Sequence, residues 1–189
     1  MVEVQVRDEH RVEAYGYAFV EDERPGRFDV AAARALGVPE GPAWGRLQRG
    51  ETVDGIAPEQ VMGESRPGRR IVISGDTAPC QAVEVFAHRA DVLVHEATFM
   101  EDERARARET GHTTARQAAE IARDAGVGLL ALTHLSTRYF PREIRDEARA
   151  AFPSTIVPRD FDELAVPFPE RGEPVLVKPE REPEPAAAP

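Results

Sequence analysis

Four short stretches of this sequence carry side chains that hold metal ions or move protons. Asp76 stands in Ser74-Gly75-Asp76-Thr77, His95 and Glu96 are adjacent, His112 lies in Gly111-His112-Thr113-Thr114, and His134 follows Thr133. Carboxylate oxygen and imidazole nitrogen are donor types that zinc takes. A histidine oriented by a carboxylate also transfers protons near neutral pH. Each residue has an ordinary reading too. Asp76 reads equally as a cap of the following turn, His134 as a hydrogen-bonded core histidine, and His112 as a residue ahead of a helix capped by Thr113 or Thr114. His95 ends an apolar run and reads as structural. His88, beside Arg89, reads as a surface residue, and His10 sits in a charge run of Arg7, Asp8, Glu9 and Arg11. Singly these signals are weak; their joint placement is what needs explaining.

The elements around them supply that placement. Ile71-Val72-Ile73-Ser74, Asp91–His95 and Gly128–Thr133 are apolar runs that read as buried strands. The first leads into Asp76, the second ends in His95-Glu96 and the third in His134. Helices are predicted over Cys80–Arg89, over Thr114–Ala125 with Ala118, Ile121, Ala122 and Ala125 on one face, and from near Pro141, a favourable first-turn residue. Strands alternating with helices predict an α/β layer architecture. Sites in such layers form beyond the carboxyl ends of the strands, so Asp76, His95, Glu96, His112 and His134 are expected on one edge.

The flanking segments differ. Residues 2–6 alternate as a strand does, and Tyr15–Val20 is a second strand candidate. Residues 24–68 hold Pro25, Pro39, Pro42, Pro58 and Pro67 and eight glycines, and read as a long loop with one short helix near Val30–Leu36. After Phe168 the chain is rich in Pro, Glu and Ala, and residues 169–189 are expected to be a disordered tail.

Composition narrows the class without deciding the partner. The chain has 189 residues, 41% of them hydrophobic, enough for one domain with a real core. The single cysteine, Cys80, cannot form an internal disulfide, which fits a cytoplasmic setting. No stretch approaches the roughly 20 apolar residues of a membrane span, and Met-Val-Glu-Val-Gln-Val has no signal-peptide pattern. The net charge of −10 argues against nucleic acid as a partner. Lys178 is the only lysine, however, and an acidic, lysine-poor surface also fits adaptation to high salt.

A set of motifs in fixed order resembles a known family. Tyr-Gly-Tyr at 15–17, Arg-Pro-Gly-Arg-Phe at 24–28, Gly-Pro at 41–42, Gly-Asp-Thr at 75–77, His-Glu-Ala-Thr-Phe at 95–99, Gly-His-Thr-Thr at 111–114 and Thr-His-Leu-Ser-Thr-Arg-Tyr at 133–139 resemble ribonuclease Z, a branch of the metallo-β-lactamase fold. The resemblance runs from about residue 7 to residue 168. It implies the C-terminal half of an αββα sandwich over residues 1–168, with a Gly/Pro-rich arm projecting at about 24–50. It also implies a zinc-dependent endoribonuclease that removes 3′ trailers from precursor tRNA, a site of two zinc ions, and a homodimer in the intact enzyme. By the same resemblance His10, Asp76 and His134 are metal ligands, with Asp76 bridging. Glu96 and His112 are the catalytic pair that protonates the leaving 3′ oxygen. Gly41 and Pro42 in the arm, and Arg138, bind the substrate.

The family pattern also contains a His-x-His-x-Asp-His run, which supplies four ligands and the general base, and the sequence holds no such run. A truncated, inactive remnant or a complementing half is therefore an alternative. A metallo-β-lactamase phosphodiesterase acting on small phosphodiesters is another, which the arm argues against. With the run missing, one face of the sheet is expected to be exposed.

Overall fold

The computed structural model describes the backbone of residues 2–7 and residues 14–177. His10 lies outside the described residues. Six strands form one sheet in chain order: β1 (Val2–Arg7), β2 (Tyr15–Val20), β3 (Arg70–Ile73), β4 (Val92–Glu96), β5 (Leu129–Thr133) and β6 (Thr155–Ile156). The first three are antiparallel neighbours, and β3 to β6 run parallel. The three apolar runs read from the sequence are β3, β4 and β5, each parallel to the next, so their carboxyl ends lie side by side.

Residues 21–68 form a compact unit of their own. The expected arm over about 24–50 falls within this unit, and the reading of 24–68 as a long loop with one short helix is corrected. Helices α1 (Val30–Ala35) and α2 (Pro42–Gln48) enclose a small core of Ala33, Val38, Leu47, Val53 and Val61. Proline and glycine punctuate this unit without unravelling it. Pro42 occupies the first turn of α2, where a missing N–H costs nothing, and Gly41 precedes it at φ +117°, a value that disfavours any side chain. Trp44 donates its indole N–H to the Val38 carbonyl (3.1 Å) and packs on Phe28, ring centroids 5.3 Å apart. The two ends of the unit pair at Arg24–Arg66 and Phe28–Met62. Between these pairs a Cβ on Gly26 would collide with the Gly63 carbonyl, so the close approach requires glycine.

In the remainder, α3 (Gln81–Ala87), α4 (Arg104–Thr110), α5 (Ala115–Asp124) and α6 (Pro141–Ala151) complete the helices. Helix α5 packs against α3, α6, β4 and β5. Its Ala115, Ala118, Ala119 and Ala122 are fully buried, and their small size lets the helix sit close to the sheet. Ala18, Val72, Leu93, Leu130 and Leu132 meet it from the strands, with Ile144 and Ala148 from α6. On the opposite side-chain register, Ile73 is 37% and Tyr15 41% exposed. Among the described residues no helix is long and apolar enough to cross a membrane.

Residues 169–177 are structured, contrary to the expected tail over 169–189, whose remainder from residue 178 lies outside the described residues. Pro169–Arg171 form a 3-10 turn, and β8 (Val175–Val177) pairs antiparallel with β7 (Glu163–Ala165). Val175, Leu176 and Val177 supply the short apolar run that the tail's overall composition conceals. Arg69 ties this part down, donating to the Val166 carbonyl (2.9 Å) and lying over the Phe168 ring.

His95 belongs to this core. It is fully buried, and its Nδ1–H donates to the Glu96 carbonyl (2.8 Å). Nε2 has no hydrogen-bond partner among the described residues. Burial pushes the imidazole pKa below its ordinary value. The unfolded chain takes up a proton as pH falls through about 6.5, while the folded chain resists it. The stability contributed by neutral His95 is complete above that pH and declines as pH falls from there towards the lower folded value. Urea midpoints measured across this range should fall with pH for the wild type, and the slope should be shallower for His95→Leu. An equal slope in both would show that His95 is not responsible.

Candidate metal and proton-transfer site

The site begins where β3 ends. Gly75 adopts φ +70°, which turns the chain after Ser74 and presents Asp76 beyond the strand. Thr77 is buried behind it, and its carbonyl accepts from the Thr113 hydroxyl (2.6 Å). Gly111, left-handed at the end of α4, turns the chain into His112. Two residues on, Thr114 and Gln117 form a capping box that starts α5. His134 follows β5 directly and holds φ +51°, a region that non-glycine residues seldom occupy.

The segment after β4 joins these loops. Ala97 N–H donates to the Thr133 carbonyl (2.9 Å), and Ala115 N–H donates to the Phe99 carbonyl (2.8 Å). Thr98 is thereby held between His112 and His134. Alternation along an extended chain places Glu96 and Thr98 on one face and His95 on the other. This corrects the expectation that His95 joins the group at the strand ends.

Asp76, His112 and His134 come together: each offers a ligand atom, and these atoms all lie within 4.8 Å of one another. His134 Nε2 is 3.5 Å from Asp76 Oδ2, and the rings of His112 and His134 stack with centroids 5.3 Å apart. The side chains of Asp76 and His134 are 41% and 49% exposed. Glu96 beneath them is 1% exposed. Its Oε1 accepts from Thr77 N–H (2.9 Å) and His112 Nδ1–H (2.8 Å), and its Oε2 from Thr98 N–H (3.2 Å) and the Thr98 hydroxyl (2.6 Å). With four donors on two oxygens, Glu96 acts as an acceptor-only carboxylate.

Two polar atoms aimed from different segments, a carboxylate oxygen and an imidazole nitrogen, thus meet at an open position, with a buried carboxylate orienting what lies behind. The donor chemistry fits a zinc ion.

The expected substrate-binding residues are Arg138, Gly41 and Pro42. Arg138 donates to Glu103 (3.1 Å) and its guanidinium lies 5.9 Å from the centre of the Phe99 ring. Gly41 and Pro42 open α2 in the separate unit. Sequence reasoning assigned no role to Thr98, although it stands in the quoted His-Glu-Ala-Thr motif. The signal was its two-residue spacing from Glu96.

Comparison with known proteins gives several likenesses. Residues 45–135 match the model of the beta-lactamase superfamily domain. Proteins named ribonuclease Z from Myxococcus xanthus and Haloferax volcanii are 53% and 49% identical over 170 and 168 residues, which is 86% and 85% of this chain but 55% and 53% of theirs. Among solved structures, the metallo-β-lactamase fold protein YhfI from Bacillus subtilis aligns with a TM-score of 0.53 at 20% identity, over 82% of this chain and 45% of that one, a likeness of fold alone. The chain is homologous to the ribonuclease Z proteins, and it spans about half the length of the curated relatives it matches.

Proposed function

We propose that this chain contributes to a zinc-dependent endoribonuclease that removes 3′ trailers from precursor tRNA, in a cytoplasmic and homodimeric enzyme. The observation that carries the reading is the cluster of Asp76, His112 and His134 above a buried Glu96, in a relative of proteins named ribonuclease Z. Asp76 and His134 are the metal ligands of the described residues, with His10 a further ligand by the family resemblance. The bound metal supplies positive charge to the phosphodiester under attack.

The remaining work falls to side chains. The departing ribose 3′ oxygen is a poor leaving group until it is protonated. His112 is suited to that step. Its Nδ1–H donates to Glu96 (2.8 Å), which orients the ring so that Nε2 is the atom that hands over a proton. His112 also lies near enough to Asp76 and His134 to be a third ligand, so the two roles need separating. Under the proposal Asp76→Asn weakens zinc binding, whereas His112→Gln retains zinc and lowers turnover of the assembled enzyme by about 10²–10⁴-fold. Loss of zinc from His112→Gln to the same degree as from Asp76→Asn would make His112 a ligand and reject it as the acid.

Few ligands make a weak site, because each donor contributes a bond and part of the charge that holds a dication. The 189-residue chain by itself is therefore expected to bind zinc weakly and to leave precursor tRNA uncut. Supplying a half that carries the His-x-His-x-Asp-His run, fused or added, should restore both properties. Chelator-sensitive cleavage by the purified chain alone, abolished by Asp76→Ala, would overturn this expectation.

The unit over 21–68 is the proposed tRNA-gripping arm. It has its own core, so its removal leaves the sheet residues intact. In the assembled enzyme, replacing it with a short turn should impair cleavage of precursor tRNA and spare hydrolysis of a small chromogenic diester. Equal loss of both activities would refute the gripping role.

A further inference from the structure

We propose that the hydroxyl of Thr98 is a positioning group that relays the Glu96 carboxylate to His134 and fixes that imidazole as the Nδ1–H tautomer, so that Nε2 presents its lone pair beside Asp76. The argument is a count of protons. Thr98 Oγ1 has a single hydrogen and two lone pairs. It lies 2.6 Å from Glu96 Oε2, 2.7 Å from His134 Nδ1 and 3.3 Å from His112 Nδ1. Glu96 Oε2 already accepts from the Thr98 backbone N–H, and Oε1 accepts from Thr77 and His112. The carboxylate therefore has no proton to give, and the short contact to Oε2 must be made by the hydroxyl hydrogen. If that hydrogen pointed to His134 instead, two oxygens bearing only lone pairs would face each other at 2.6 Å. Oγ1 is thus an acceptor towards His134, and Nδ1 of His134 carries its hydrogen.

The consequence falls on the other ring nitrogen. A neutral imidazole protonated at Nδ1 has its lone pair at Nε2, and that atom lies 3.5 Å from Asp76 Oδ2. One buried carboxylate then orients both stacked histidines, His112 by direct contact and His134 through one hydroxyl. The backbone keeps the relay in place. The Thr98 carbonyl accepts from Ser136 N–H (3.3 Å), two residues beyond His134, and the neighbouring Ala97 and Phe99 are pinned to Thr133 and Ala115. His134 also needs an anchor, because its left-handed backbone conformation is unfavourable for a side chain with a Cβ. The zinc part of this inference rests on the proposed function; the tautomer does not.

The test reads both. In the metal-free, 15N-labelled chain, at a pH well above the imidazole range, two-bond nitrogen–proton correlation spectra report the tautomer of each histidine, with His134 assigned through His134→Gln. The Nδ1–H form is expected in the wild type and in Thr98→Ser, and a shift towards Nε2–H in Thr98→Val. Zinc affinity, measured by titration of the same chains, should fall about 10–100-fold in Thr98→Val and stay near wild type in Thr98→Ser. A wild-type His134 in the Nε2–H form overturns the relay without any variant. So does an unchanged tautomer in Thr98→Val, or a Thr98→Ser chain as impaired as Thr98→Val. The expected tautomers in a wild-type chain that takes up no zinc even when the half carrying the His-x-His-x-Asp-His run is supplied would leave the relay standing and remove the proposed metal role.

Discussion

The carboxylate of Glu96 is the constraint on which the rest of the site depends. Burying an ion costs several kcal/mol unless its lone pairs are occupied, and Glu96 is 1% exposed. Its compensation comes from three separate loops: the turn after β3 through Thr77, the segment after β4 through Thr98, and the entry to α5 through His112. None of these loops has a regular ladder to hold it. They are held together by a common demand for the same two oxygens, so the satisfaction of the buried charge and the alignment of the reactive groups are one event. Removing the carboxylate would leave those four donors without their acceptor, a larger cost than the net value of any one bond.

His134 shows the other side of that arrangement. Its left-handed backbone is a local strain on the order of 1–3 kcal/mol, and it is tolerated at the end of a strand whose own residues are deeply buried. Leu129 to Leu132 pair in parallel with Val92 to His95, which gives a rigid base from which one unfavourable residue can be held out. The half-exposed Asp76 and His134 thus rest on a dry support, whereas groups at the rim such as Arg138 are taken up by neighbouring carboxylates.

How much of this was legible in the sequence follows from the periods involved. Strands β3, β4 and β5 are unbroken apolar runs bounded by polar groups, so both their existence and the grouping of Asp76 with His134 followed from parallel order. The position of His95 was also legible, since alternation sets it against Glu96, but grouping residues by strand end overrode alternation. Helix α2 was missed because the prolines and glycines of residues 24–68 were read together as a loop, although proline at a first helical turn is a start signal. Strands β6, β7 and β8 have only two or three residues and carry no period to detect. The role of Thr98 depends on hydroxyl geometry between two loops, which spacing alone does not express.

The join between β2 and β3 has a consequence for how such a chain diversifies. Val20 stands directly opposite Arg70 in the antiparallel pair, so a hairpin of a few residues would be enough to connect them. Residues 21–68 occupy that position, with their two ends zipped at Arg24–Arg66 and a core that draws on no strand of the sheet. Loop closure grows costly only slowly with length, and a unit that folds on its own residues adds little to that cost. The insertion is therefore free to drift, lengthen or be exchanged while the strand ends that carry Asp76 and His134 keep their register, so the two parts of the chain can change on different clocks.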